Sequence, residues 1–259
     1  MKSLNAGCLL TISVVSHNQG SLIQELLEDL NSLKKGNFEV IATINIEEEH
    51  PFSIDELNFP IKIKKNVKPL GFGENHNLAF DEANGRYFCV LNPDIRIQSD
   101  PFSLLIEYLE NNRSVGVVSP LIVNEAYSIE DSARRFPTPM RILKRKFTNG
   151  KILDYKIGND FVYPDWLAGM FMLFKSDTYR SLGGYDENYF MYCEDADICA
   201  RAWYKGYTVV LMPQVKVIHK ARRDSQKKVK HFVWHVRSLF RYFLSHPFNE
   251  KRSDPSDIS

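Results

Sequence analysis

The sequence predicts an α/β fold built on a mostly parallel central sheet with helices on both faces. Three observations predict it. Short β-branched and aromatic runs alternate with segments of helical periodicity through the first half of the chain. Polar and acidic motifs fall at the carboxyl ends of apolar runs, where such sheets hold their ligands. The 259 residues, 44% hydrophobic and 25% charged, supply enough apolar surface for one sizeable core.

The elements follow in order. Residues 9–16 form a β-rich apolar run, after which Leu22, Ile23, Leu26, Leu27, Leu30 and Leu33 recur with the spacing of one helix face. A strand at 38–44 completes a βαβ opening, and a third short strand is expected at 61–65. A glycine-containing turn at 69–73 precedes a helix near 74–83, a buried strand at 86–91, a helix at 101–110 and a strand at 115–119. Beyond residue 120 the order loosens. The basic stretch with Arg134, Arg135, Arg141, Lys144, Arg145 and Lys146 has few apolar anchors and reads as loop. Regular structure resumes with the apolar run 166–174, a short helix at 177–182, a helix opening in an acidic cluster and reaching 205, and a strand at 208–212. In 232–244, Phe232, Val236, Leu239, Phe240 and Phe243 fall at i, i+4, i+7, i+8 and i+11, an amphipathic helix with aromatic weight.

The net charge of +1 hides an asymmetry, because nine Lys/Arg between 216 and 241 face one acid, Asp224; that segment is +8 and the remainder −7. A helix so composed suits the headgroup region of an anionic bilayer, or packing on its own domain. Nucleic acid is the weaker explanation, since no recognised binding module accompanies the charge. The division expected is a globular domain at 1–215 (halves 1–120 and 121–215), a basic membrane-peripheral segment at 216–248 and a disordered tail at 249–259. Cys8, Cys89, Cys193 and Cys199 form no C-x-x-C pair, which fits reduced core thiols of a cytosolic protein rather than a zinc site. The amino terminus lacks the layout of a signal peptide, and the apolar runs fall far short of the ~20 residues that span a bilayer. Membrane contact is therefore expected to be peripheral.

Two motifs carry chemistry. In Gly183-Gly184-Tyr185-Asp186-Glu187-Asn188-Tyr189-Phe190-Met191-Tyr192-Cys193-Glu194-Asp195-Ala196-Asp197, an aromatic run ends in three carboxylates that open a helix. The helix dipole explains one or two of them as first-turn residues. Three beside so much apolar surface repel one another and lose solvation, which points to a site that exploits altered acidity. At the end of the strand 86–91, Asn92-Pro93-Asp94 stops the ladder and presents Asp94 on a rigid turn, which also fits an ordinary Asn-Pro-Asp turn.

Together with Val14-Val15-Ser16-His17-Asn18, Leu70-Gly71-Phe72-Gly73 and Trp166-Leu167-Ala168-Gly169, these motifs occur in an order that resembles the family 2 inverting glycosyltransferases with the Rossmann-like GT-A fold, over roughly residues 9–220. Arg134-Arg135-Phe136-Pro137-Thr138-Pro139, and His219 followed by a basic aromatic helix, resemble the bacterial rhamnosyltransferases that build O-antigen and related polysaccharides. The resemblance implies transfer of rhamnose from dTDP-rhamnose to a polyprenyl-diphosphate-linked saccharide. Alternatives are a related UDP-hexose transferase and a silent nucleotide-sugar-binding scaffold at the membrane.

It also implies site residues. Asp94 and His219 would hold Mg²⁺ or Mn²⁺ against the donor diphosphate, with Asn92 in place of the metal motif's first Asp. Asp195 would be the base, Glu194 the runner-up, and Asp197 would orient the helix start or contact the acceptor. Ser16, His17, Asn18, Asn45, Gly71, Phe72, Gly73 and Asn77 would meet the donor nucleotide. Gly71 and Gly73 permit close approach of a ligand, but the third glycine of the dinucleotide fingerprint is missing, which disfavours a dehydrogenase. Thr43-Ile44-Asn45 departs from the family's Asp-Asn pair, and apolar Ile44 cannot read a base. Trp166 and Gly169 would contact the acceptor sugar, and Arg134 and Arg135 would neutralise diphosphate or form a solvated loop.

Overall fold

The computed structural model describes residues 8–33, 37–48, 57–147, 152–220 and 228–246; the expected tail at 249–259 lies outside them. Along the chain come β1 (Leu10–Ser16), α1 (Gly20–Asn31), β2 (Phe38–Ile44), β3 (Ile61–Lys65), α2 (Phe72–Phe80), β4 (Tyr87–Leu91), β5 (Ile95–Arg96), α3 (Phe102–Asn111), β6 (Val115–Asn124), β7 (Ala133–Arg134), α4 (Pro139–Phe147), β8 (Trp166–Leu167), β9 (Phe171–Lys175), α5 (Ser176–Leu182), α6 (Glu194–Tyr204), β10 (Thr208–His219) and α7 (Lys228–Ser245). The main sheet has the order β3-β2-β1-β4-β9-β6-β10-β5, and β7 pairs separately with β8. Neighbours are parallel across β3-β2-β1-β4 and between β6 and β10. β9 runs antiparallel to β4 and β6, and β5 antiparallel to β10.

Strand alternation sorts side chains into two cores. Ile12, Val14, Val40, Cys89 and Leu91 pack with Ile23, Leu26, Leu27 and Leu30 of α1 and Leu105 and Leu109 of α3. Phe88, Val90, Val117, Met172 and Phe174 face the other layer, with Tyr179 of α5 and Ile198, Ala202 and Trp203 of α6. Each α1 side chain so buried contributes about 1.5–3 kcal/mol. Because both sheet faces are covered, the strands read as near-continuous apolar runs.

Three expectations are corrected. The loop expected around 134–146 contains α4, whose start Thr138 marks by accepting from the Arg141 N–H at 3.2 Å, with Pro139 opening the first turn. The strands expected at 115–119 and 208–212 continue to Asn124 and His219, so the boundaries expected at 120/121 and 215/216 fall inside one sheet. Pro213 does not end β10, because the register shift between Met212 and Lys216 takes the proline out of the ladder. Finally, the run 166–174 is two strands, β8 and β9, separated by the bend Ala168-Gly169-Met170.

Candidate active site

That bend joins the two acidic motifs. β4 and β9 pair antiparallel with Leu91 opposite Phe171, so the end of β4 meets the start of β9. The Asn92 N–H donates to the Met170 carbonyl at 2.9 Å. One residue earlier, the Gly169 N–H donates to the Asp195 carboxylate at 3.1 Å. The Asp94 turn and the start of α6, about a hundred residues apart in sequence, are thus tied to the consecutive residues Met170 and Gly169.

Asp94 sits between β4 and β5. The register sets His219 opposite Ile95, and the Lys220 N–H donates to the Asp94 carbonyl at 2.8 Å. The His219 Nε2 lies 3.2 Å from Asp94 Oδ2, and its Nδ1 lies 2.6 Å from Glu130 Oε2. Burial lowers the His219 pKa, but the Asp94 and Glu130 carboxylates outweigh it and bring it to about 9. Glu130 fixes the ring as a carboxylate behind a metal-binding histidine does; no motif flagged it.

At the start of α6 the two neighbouring acids differ. Asp195 is half-buried and accepts from the Gly169 N–H and, at 2.9 Å, from the Ala196 N–H. Burial raises its carboxyl above the ordinary value, opposed by the Arg134 guanidinium and these amides. Glu194 is buried, and its Oε2 has no hydrogen-bond partner among the described residues. Burial, then repulsion from Asp195, pushes it well above its ordinary value. Asp195 is the member of the pair whose two oxygens each accept a backbone N–H. Asp197 is buried in ion pairs, 2.6 Å from Arg201 and 2.8 Å from His246, so it braces α6 against α7.

The expected acceptor residues are partly committed elsewhere. Trp166 is buried, donates from Nε1 to the Arg135 carbonyl at 2.9 Å, and has the Arg134 guanidinium 5.0 Å from its ring. A buried ring with a cation over it offers no open face for contact with an acceptor sugar. Arg134 donates to the Asp131 carbonyl at 2.8 Å and acts on Asp195, while the Arg135 guanidinium lies over Tyr155. Arg134 lies in β7 and is partly buried, whereas Arg135 is exposed and outside any helix or strand, as expected of a solvated loop.

On the donor side, Ser16 accepts from the Gln19 N–H at 3.1 Å, and Asn18 has φ +62° and donates from its backbone to Glu48 at 3.3 Å. Asn45 uses its amide on His17 and the Leu70 carbonyl, and its oxygen on Asn66 and the Leu70 N–H. All its capacity holds the β2 end to the loop before α2, which leaves none to read a base. Asn77 is equally committed, to Tyr179, Glu187 and the Tyr185 backbone, so it latches the 183–187 turn rather than facing a donor. The glycines do permit close approach, but of protein: a Cβ on Gly71 would lie 2.9 Å from the Phe190 carbonyl, and one on Gly73 2.5 Å from Tyr185. Phe72 touches Gly169 and stacks edge-on with His76 at 4.6 Å. His76, which the motifs missed, is buried, bonds Ser13 at 2.8 Å and is pushed down to about 3 by burial. A cavity of about 370 Å³ opens beyond β2 and β3, lined by Ile44, Asn45, Lys65, Asn66 and Lys68. A larger one, about 580 Å³, is lined by Asp186, Asp197 and His246 and by none of Asp94, Asp195 and His219.

Residues 11–175 match the family described as glycosyl transferase family 2. The chain belongs to that family. This family 2 chain is 32% identical to the rhamnosyltransferase WbbL of Escherichia coli K12 over 89% of itself and 91% of WbbL. It is 27% identical to the N-acetylglucosaminyl-diphospho-decaprenol L-rhamnosyltransferase of Mycobacterium tuberculosis over 58% of itself, spanning 52% of that protein. Its fold is that of GalNAc-T7 solved with UDP, GalNAc and Mn²⁺ (TM-score 0.69, 16% identity, 98% of this chain and 53% of that one). The mannosyltransferase PcManGT of Pyrobaculum calidifontis, with GDP-Man and Mn²⁺, is similar at TM-score 0.64 and 15% identity, over 96% of this chain and 67% of that one. The expected GT-A glycosyltransferase is thereby borne out.

The residues present fit a divalent cation. The Asp94 Oδ1 is buried with no hydrogen-bond partner among the described residues, and the other oxygen of that carboxylate lies 3.2 Å from the His219 Nε2. Among those residues no group of three His, Cys, Asp or Glu side chains converges, so a cation here would take its other ligands from the donor.

Proposed function

We propose that this family 2 transferase moves rhamnose, with inversion, from dTDP-rhamnose to a saccharide carried on polyprenyl diphosphate, at the cytoplasmic face of the membrane. The observation that carries the reading is the shared 168–170 bend, with Asp195 on the Gly169 N–H and the Asn92–Asp94 turn on the Met170 carbonyl. A base and a diphosphate-facing pair on two sides of one bend suit in-line displacement. The two relatives named as rhamnosyltransferases, one acting on a decaprenol-linked acceptor, support the sugar and the carrier.

Asp195 takes the proton of the acceptor hydroxyl as that oxygen's electron pair forms the bond to the anomeric carbon. The bond from that carbon to the diphosphate breaks, and nucleoside diphosphate leaves. Asp94 and His219 would hold Mg²⁺ or Mn²⁺, which neutralises charge developing on the diphosphate. Arg134 and the Gly169 and Ala196 amides oppose the rise that burial imposes on the Asp195 carboxyl and so favour its ionised form. Glu130 holds the His219 ring.

The test is transfer from a panel of sugar nucleotides to N-acetylglucosaminyl polyprenyl diphosphate, with and without Mn²⁺. A rhamnosylated lipid formed only from dTDP-rhamnose is expected. Transfer from a UDP-hexose instead overturns the donor assignment, and no transfer from any donor, with the nucleotide still bound, leaves a scaffold.

A further inference from the structure

Attachment to the membrane is expected of α7, and the structure divides that helix into two faces. The inner face bonds the domain: the Ser238 hydroxyl donates to the Met191 carbonyl at 2.8 Å, Arg241 pairs with Asp186 at 2.6 Å, and Tyr242 is buried. The outer face leaves Phe232, Phe240 and Leu244 66%, 67% and 70% exposed. Leu239 and Phe243, expected on the lipid side, pack partly against the core.

The same division recurs on α4, where no membrane contact was expected. Arg145 pairs with Asp131, and also with Asp154 at 3.5 Å, while Arg141 donates to the Phe136 carbonyl at 3.0 Å. These bonds hold the helix to the domain. Met140, Leu143 and Phe147, at i, i+3 and i+7, are left 74%, 51% and 80% exposed. The segment that leads into α4 touches α7: the Phe136 ring, three residues before α4, lies 6.5 Å from the Tyr242 ring of α7.

We infer that α4 is a second lipid-contacting element, and that its outer face and that of α7 together dock on an anionic bilayer. The inference rests on the reading of α7 as the membrane attachment and extends it to the segment next to the Arg134–Trp166 pair. Charge chooses the occupant. Beyond the arginines that bond the domain, Pro139–Phe147 carries Lys144 and Lys146, Lys228–Ser245 carries Lys228, Lys230 and Arg237, and neither helix contains an acid. Apolar stripes flanked only by positive charge match an acidic headgroup layer, each basic residue near it strengthening binding about fivefold. Neither helix is long and apolar enough to cross a membrane, which fits helices lying in its plane.

The full chain is tested by co-sedimentation with vesicles of phosphatidylcholine alone and vesicles rich in phosphatidylglycerol. Wild type is expected to pellet with the acidic vesicles and to be released by salt. The triple variant M140S/L143S/F147S is expected to lose about tenfold or more of that partition, with nucleotide binding unchanged. F232S/F240S/L244S should lose as much. K144E, a single exposed position, should lose about fivefold or more and serves if the triple variant misfolds. Wild-type binding by both α4 variants overturns the inference while the α7 reading stands. Failure of wild type to bind acidic vesicles overturns both. A dimer in analytical ultracentrifugation that the α4 substitutions dissociate, with vesicle binding unchanged, assigns the face to a second copy and overturns the lipid inference.

Discussion

Asp195→Asn and Glu194→Gln are nearly isosteric changes at adjacent positions, and the structure predicts opposite outcomes. Asp195→Asn removes the proton acceptor, which costs about 10²–10⁴ in kcat, or roughly 3–5 kcal/mol of transition-state stabilisation. It also disturbs the ground state. The Gly169 and Ala196 N–H groups donate to different oxygens of the carboxylate, at 3.1 and 2.9 Å. An amide must turn its NH₂ toward one of them and leave a donor unpaired, at about 1–3 kcal/mol of stability. Glu194 is buried and its carboxyl is pushed well above the ordinary value, a setting that favours the neutral form, so the neutral amide of Gln keeps its shape and suits the site. Glu194→Gln should leave kcat within about tenfold of wild type. The assay is steady-state transfer at saturating donor with acceptor varied, repeated across pH. The base must be ionised and burial raises the Asp195 carboxyl, so wild-type kcat should fall as pH drops through a value above the ordinary 3.8. Loss in Glu194→Gln as large as in Asp195→Asn would refute the assignment and move the base to Glu194.

Two further substitutions probe the supports. Glu130→Gln removes the carboxylate 2.6 Å from His219 Nδ1, and Mn²⁺ affinity measured calorimetrically with nucleoside diphosphate present should fall about 10–100-fold; an unchanged affinity would show that the pair does not set it. Arg241→Met breaks a half-exposed ion pair worth about 0.5–1 kcal/mol. Burial raises the Asp186 carboxyl, but the Asn188 and Arg241 hydrogen bonds outweigh it and hold it low. A depressed carboxyl stabilises the fold above its unfolded value and loses that contribution as pH falls through the folded one. Denaturation curves of variant and wild type should therefore differ near neutral pH and converge in acid, and a constant difference would mean that packing alone is lost.

The legible part of the fold was its periodicity. β2 and β3 have the bounds predicted for them, β2 as a β-branched run buried on both faces and β3 as a short Ile/Lys strand at the sheet edge. α4 was hidden by its charge: basic residues between Met140, Leu143 and Phe147 mask a helical stripe that meets no core, although Thr138-Pro139 was a readable start signal. In the site, residue identity told less than expected about orientation. Asp195 bonds the bend whose Met170 carbonyl holds Asn92, and His219 bonds Asp94, whereas Asn45 and Asn77 spend their amides inside the protein. Glu130 was invisible because its importance comes from a strand register that sets His219 opposite Ile95.

The glycines of the loop before α2 reveal why α7 matters to Asp195. Gly71 and Gly73 are small because the 185–190 segment presses against them, and the Phe72 N–H donates to the Phe190 carbonyl at 2.9 Å. From there the chain must turn sharply into α6, and it does so through Tyr192 and Cys193, both left-handed at φ +73° and +66°. Two such residues without glycine store about 1–3 kcal/mol each. α7 supplies the contacts that offset the strain: Ser238 holds the Met191 carbonyl, His231 bonds the Tyr192 hydroxyl at 2.7 Å, and Trp234 packs on Phe190 at 4.8 Å. The helix whose outer face is proposed to meet lipid thus holds, on its inner face, the strained turn that leads into Asp195.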